Sequence, residues 1–205
     1  MNKVHQNINK YYTDKINQYG VTPKGVDWNS EESQFIRFDQ LSKVITCTGF
    51  SINDIGCGYG KYTDYLESKF KDFSYVGYDL SEDMIISAQK KYPHYKFIKT
   101  NIQDEIQVSD YSIASGIFSV KMQHLEYEWL SYILSTLENL NNKSKKGFSF
   151  NMLTKYSDKE YMRNDLYYAD PLFIFDYCKR NFSKDIALLH DYNLYEFTVI
   201  VRKAY

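Results

Sequence analysis

Three glycines at every second position, Gly56, Gly58 and Gly60, follow the short run Ile52-Asn53-Asp54-Ile55 and precede a helical pattern. Glycine lets the backbone take positive φ and come close to a ligand, and the N–H groups that open the next helix face any negative group in the turn. Such a turn is a cradle of nucleotide size. Its spacing is G-x-G-x-G, with Asp54 two residues ahead of the first glycine, which differs from the G-x-G-x-x-G of dinucleotide binders. A second run, Tyr75-Val76-Gly77-Tyr78-Asp79-Leu80-Ser81, reads as a strand ending in a carboxylate. An acid there suits ribose hydroxyls.

The strands that carry these groups are expected at Phe50–Ile55, Ser74–Asp79, Tyr95–Lys99, Tyr111–Gly116, Gly147–Met152, Asp185–Tyr192 and Tyr195–Arg202. Helical periodicity fills most gaps, so the fold class is α/β. Trp129, Leu130, Ile133, Leu137 and Leu140 recur at three- and four-residue steps, as the apolar face of a helix packed on the sheet requires. Helices are also expected around Asn9–Tyr19 and Ser30–Val44, the second with Ser30 as its N-cap. Only Asn193 and Leu194 separate the last two strand candidates, too little chain for a crossover helix, which predicts an antiparallel hairpin.

Together the two lines resemble the class I S-adenosylmethionine-dependent methyltransferases. That family's first strand ends in a D-x-G-C-G-x-G turn, here Asp54 to Gly60, and its second in an acid followed by a helix. The resemblance covers about residues 45–205. It implies a Rossmann-like, seven-stranded, mostly parallel sheet of order 3-2-1-4-5-7-6, with helices on both faces and an antiparallel C-terminal hairpin. Residues 1–45 would form an N-terminal helical lid over the cofactor, and 46–205 the methyltransferase domain, within one compact unit. The segments Gly25–Phe38, Leu166–Pro171 and His190–Thr198 also look like those of a bacterial stand-alone subgroup whose acceptors are mostly unassigned.

The implied cofactor is S-adenosylmethionine, and the product S-adenosylhomocysteine. Asp54, Gly56, Cys57 and Gly58 fall at its methionine end, Asp79 at its ribose, and Leu80 and Met84 are apolar contacts. Asn101 and Ile102, after the third strand, are the adenine neighbours; the family usually has an aspartate at the first of these, and an amide can both accept and donate there. Ser115 and Gly116, closing the fourth strand, lie near the methionine amino group. In the lid, Trp28 could cover the sulfonium, since aromatic faces attract cations, and Arg37 could pair with a carboxylate of the cofactor or substrate.

Methyl transfer is an in-line displacement in which the enzyme mainly aligns donor and nucleophile. A base is needed only where the acceptor carries a proton. His190, after the sixth strand, titrates near neutrality and is the first-choice base, with His124 as runner-up and Tyr168 as a further candidate. Phe118, Tyr167, Tyr168 and Tyr192 are expected to line the acceptor pocket, whereas Asp170 is read as the cap of a helix opened by Pro171. Neither the Asn-Pro-Pro-Tyr element of exocyclic base methylation nor a Pro-Cys pair is present. The expected acceptor is a small molecule, methylated on oxygen or nitrogen.

Composition sets the outer bounds. At 205 residues, 43% apolar and 18% aromatic, the chain can fill one ordinary core, which excludes wholesale disorder. Net charge is −1 with both signs interspersed, so no stripe for a phosphate backbone is evident and nucleic acid is not an expected partner. Cys47, Cys57 and Cys178 are too scattered for a metal site and odd in number, which argues for a reducing compartment without disulfides. No membrane span and no apolar leader are visible, so the expected location is the cytoplasm and the expected state a monomer or homodimer. Two alternatives stand beside the leading one: a non-catalytic S-adenosylmethionine-binding module, and an NAD(P)-dependent oxidoreductase, against which the glycine spacing and the hairpin both speak.

Overall fold

The computed structural model describes residues 3–100 and 106–203. Two helices, α1 (Lys3–Tyr19) and α2 (Glu31–Ser42), flank a short 3-10 turn at Pro23–Val26 and lead into the sheet. Then follow β1 (Phe50–Ile55), α3 (Tyr62–Lys69), β2 (Phe73–Asp79), α4 (Glu82–Lys91), β3 (Lys96–Lys99) and β4 (Ser109–Ala114). The chain continues through α5 (Glu126–Lys143), β5 (Ser144–Leu153), α6 (Pro171–Asn181), β6 (Asp185–Leu189) and β7 (Glu196–Arg202). The strand order is β3-β2-β1-β4-β5-β7-β6, with β7 antiparallel to both neighbours and the other pairings parallel.

Side chains on alternate strand positions point to opposite faces, so each strand feeds two apolar layers. On β7, Val199 and Val201 join one layer with α5 and α6, while Ile200 joins the other with α2, α3 and α4. Trp129, Ile133, Leu137 and Leu140 are buried along α5 as their spacing predicts. The caps also follow the sequence: Ser30 Oγ accepts the Ser33 N–H at 3.1 Å and Asp170 accepts the Leu172 N–H at 3.0 Å.

Several boundaries depart from the expectations; β5 opens three residues early, at Ser144. Helix α1 opens six residues early because Val4 and Ile8, four apart, extend its buried face and join the core that also holds Tyr78, Leu80, Trp129 and Tyr132. Strand β4 ends at Ala114, and Gly116 beyond it turns at φ +75°. Strand β6 ends at Leu189, so the hairpin loop runs over 190–195 with Asn193 at φ 53°, a left-handed conformation that asparagine tolerates.

Candidate functional site

Neighbouring strands leave β1 and β4 in opposite directions along the sheet, and the crevice above their carboxyl ends is where an open α/β sheet accepts ligands. The glycine turn lies there, with Gly56 at φ 74°, Gly58 at 54° and Gly60 at 83°. The N–H groups of Gly56 and Cys57 both donate to the Tyr78 carbonyl, at 2.8 and 3.0 Å, which pins the turn to the end of β2. A Cβ on Gly56 would overlap Ile117, one on Gly116 would overlap the Trp28 ring, and one on Gly58 would come within 2.9 Å of Val26. The close approach that glycine permits is therefore in use at all three positions.

Asp79 bridges turn and strand. One carboxylate oxygen accepts the Gly58 N–H at 2.9 Å and the other accepts the Ser81 N–H at 2.9 Å, and each keeps a lone pair for a ligand hydroxyl. Burial nevertheless raises its pKa above the usual carboxylate value. Asp54, whose Oδ2 accepts the Tyr75 hydroxyl at 2.9 Å, is pushed up to about 7 by burial, with the nearby Asp79 charge acting in the same direction. Burial, helped by both aspartates, also lifts the Cys57 thiol well above its ordinary value, so it is no ready thiolate nucleophile.

These groups line one cavity with about 820 Å³ of empty space, the open mouth included. Asp54, Gly56, Cys57, Gly58, Asp79, Leu80, Met84, Ser115, Gly116 and Trp28 all border it. Of the expected cofactor set, Asn101 and Ile102 lie outside the described residues. Sequence reasoning missed the opposite wall: Ile8, Asn9 and Tyr12 from α1, Val26, Ile117, and Tyr132 from α5. Ile8 and Tyr12 stand four apart on one helix face, a signal that predicts burial without saying against what.

The remaining expected residues do not border this cavity. Arg37 does not reach the cavity: its Nε donates to Glu196 Oε1 at 2.7 Å, a second guanidinium nitrogen bonds the same oxygen, and Trp28 stacks on it 3.9 Å away. Phe118 is fully buried in the core against Phe150, and its carbonyl accepts the Trp129 indole N–H at 2.9 Å. Tyr167 packs on the same core with its N–H on the Ser119 carbonyl, while the Tyr168 hydroxyl accepts the Arg163 N–H at 3.0 Å. Tyr192 shares a hydrogen bond of 2.9 Å with Thr198.

Neither histidine candidate borders the cavity. His190 is exposed beside Tyr156 and Phe197 at the end of the outermost strand. At ~4.8 Å per strand, three steps from β4 to β6 put it roughly 14 Å from the crevice. His124 is held in a separate groove between α1 and α5 by Asn7, 3.2 Å away, and by stacking on Trp129.

Fold and site define a nucleoside-binding α/β protein whose cavity carries two carboxylates. The only lysine among its described lining residues, Lys61, is committed to Glu31 and to Asp64 at 2.8 Å. Comparison with known proteins agrees. A family pattern described as a methyltransferase domain matches residues 52–143. A Mycobacterium tuberculosis protein that is named as a methyltransferase, with no acceptor in its name, is 51% identical over 158 residues, covering 76% of this chain and 94% of its own. A trans-aconitate 2-methyltransferase of Rhodopseudomonas palustris is 28% identical over 123 residues, 55% of this chain, and the match spans only 46% of that enzyme. In fold, the magnesium protoporphyrin IX methyltransferase of Synechocystis PCC 6803, crystallised with SAM, is similar at a TM-score of 0.67 and 16% identity over 99% of both chains. The chain belongs to the class I S-adenosylmethionine-dependent methyltransferases.

S-adenosylmethionine is accordingly the methyl donor, and the cavity fits it. Two buried carboxylates favour a ligand bearing sulfonium and ammonium charge. Ser115 Oγ, buried with no hydrogen-bond partner among the described residues, is available to a polar ligand atom. No helix among the described residues is long and apolar enough to cross a membrane.

Proposed function

We propose that the chain methylates an oxygen or nitrogen of a small, uncharged acceptor. Asp79 would hold the ribose hydroxyls, the Gly56–Gly58 turn the methionine half, and Asn101 and Ile102 the adenine. When bound, the cofactor supplies a methyl group already activated by a positive sulfur, so the chain's own residues need to align, desolvate and enclose rather than activate. Trp28 and Ile117 would form the walls at the transferring end, with Tyr12 and Tyr132 from the far side.

The observation that carries this reading is the charge of the cavity. Its described lining offers Asp54, Asp79 and no unpaired cationic side chain, so the several charges of a polycarboxylate would meet no side-chain partner and only the donor's own sulfonium. The trans-aconitate activity named for a relative is therefore not assigned to this chain. Nor does the described lining include a histidine, which suits acceptors whose nucleophile is a free lone pair or a readily ionised hydroxyl.

Calorimetry with S-adenosylmethionine, followed by a screen of metabolite pools for products heavier by one methylene, tests the proposal. The expected result is donor binding, a neutral methylated product and no turnover of trans-aconitate. Efficient methylation of a di- or tricarboxylate would overturn it.

A further inference from the structure

We propose that Glu196 and Asn151 are positioning residues that act through Arg37 to hold Trp28 against the end of β4. The inference rests on the reading of this cavity as the donor site. Five residues from separate segments close a circuit. The Gly116 N–H donates to Asn151 Oδ1 at 2.7 Å, and Asn151 Nδ2 donates to Glu196 Oε2 at 2.6 Å. The other oxygen of Glu196 takes Arg37 Nε at 2.7 Å together with a second guanidinium nitrogen. The third nitrogen of Arg37 donates to the Ser33 carbonyl at 2.7 Å. Trp28 lies on the guanidinium, 3.9 Å from its central carbon, and its six-membered ring covers the Gly116 Cα, where a Cβ would collide with it.

The circuit is buried: Arg37 is 7% exposed, Glu196 2% and Asn151 1%. A buried ion pair is weak grounds for stability, because the desolvation of both charges offsets most of their attraction. Here the pair has a geometric consequence. Guanidinium is planar and fixed by three donor contacts, so the ring stacked on it inherits its tilt, which an ammonium would not impose. Asn151 ties that tilt to the backbone of Gly116. The wall at the transferring end is therefore set by β5 and β7 through α2, beyond what the segment around Trp28 could fix alone. Since Arg37 and Glu196 cancel in charge, the circuit leaves the cavity's negative potential to Asp54 and Asp79.

Two variants test it, with S-adenosylhomocysteine as the probe. Arg37→Lys keeps the ion pair and loses the flat stacking surface. Arg37→Met combined with Glu196→Leu removes both buried charges at similar volume, a change that proteins often tolerate. Comparison with Trp28→Phe identifies the Trp28 share of the emission beside Trp129. In both variants acrylamide quenching of Trp28 should rise, and affinity for the probe should fall roughly two- to tenfold, the scale of ordering one freed side chain on binding. Melting temperature should stay near that of the wild type in Arg37→Lys, which separates positioning from a merely structural role. If either quenching or affinity is unchanged in Arg37→Lys, the proposal is wrong. Failure of the wild-type protein to bind the probe would instead defeat the donor-site reading, while the quenching comparison would still report on the circuit.

Discussion

Asp79 is the side chain on which most of the donor site converges, because the same carboxylate receives the glycine turn through Gly58 and the start of α4 through Ser81. Asp79→Ala should weaken S-adenosylmethionine binding by roughly 1 to 3 kcal/mol, the scale of lost hydrogen bonds to a charged group, as measured by calorimetry. An unchanged dissociation constant would remove the ribose assignment. His190 makes the opposite case. Exposed at the rim of β6 with a tilted contact to Tyr156 and an edge contact to Phe197, it should be replaceable by alanine with turnover held within about twofold. A fall of a hundredfold, the lower range of general-base effects, would return it to the mechanism.

At the scale of elements, the difference between these two residues is also the difference between what sequence could and could not reveal. Asp79 was legible because its signal is local: a short strand, a terminal acid and a helix that follows at once, capped by Ser81. The same holds for the glycine turn, for the Asp170 cap and for the apolar face of α5. His190 was misplaced because its position depends on how far a hairpin loop opens and on how many strands intervene. Arg37 was recognised as chemistry-bearing, but its partner Glu196 lies 159 residues away, and no local pattern announces such a pair. The α1 wall was hidden for the same reason: Ile8 and Tyr12 read as an amphipathic face, and packing alone decides that this face meets Tyr132 and the cavity.

For the whole molecule, the buried aspartates make stability depend on pH with a definite sign. Asp54 titrates at 3.8 in a model peptide and near 7 in the fold, so between those values the folded state holds a proton that the unfolded chain has released. Stability contributed by this proton is complete below 3.8 and is lost as pH rises toward about 7. Asp79, also raised by burial, adds in the same direction, whereas Asp110, Asp165 and Asp170, all lowered, lose their contributions only on further acidification. The melting temperature of the ligand-free protein should therefore decline from pH 5 to pH 7, and Asp54→Asn should flatten that slope. A slope of the same size in the variant would show that another group controls it.

Val26, Ile117 and Trp28 rest directly on the backbone of Gly58, Gly56 and Gly116 respectively. A donor lying against Gly56 and Gly58 would push Ile117 and Val26 aside while Trp28 stays held, and a spent one would wait for both to move again before leaving. Traffic would then set the pace of the cycle, so thickening the solvent with sucrose or glycerol should slow steady-state turnover in proportion to viscosity, while a single turnover from a preloaded complex runs at its usual speed.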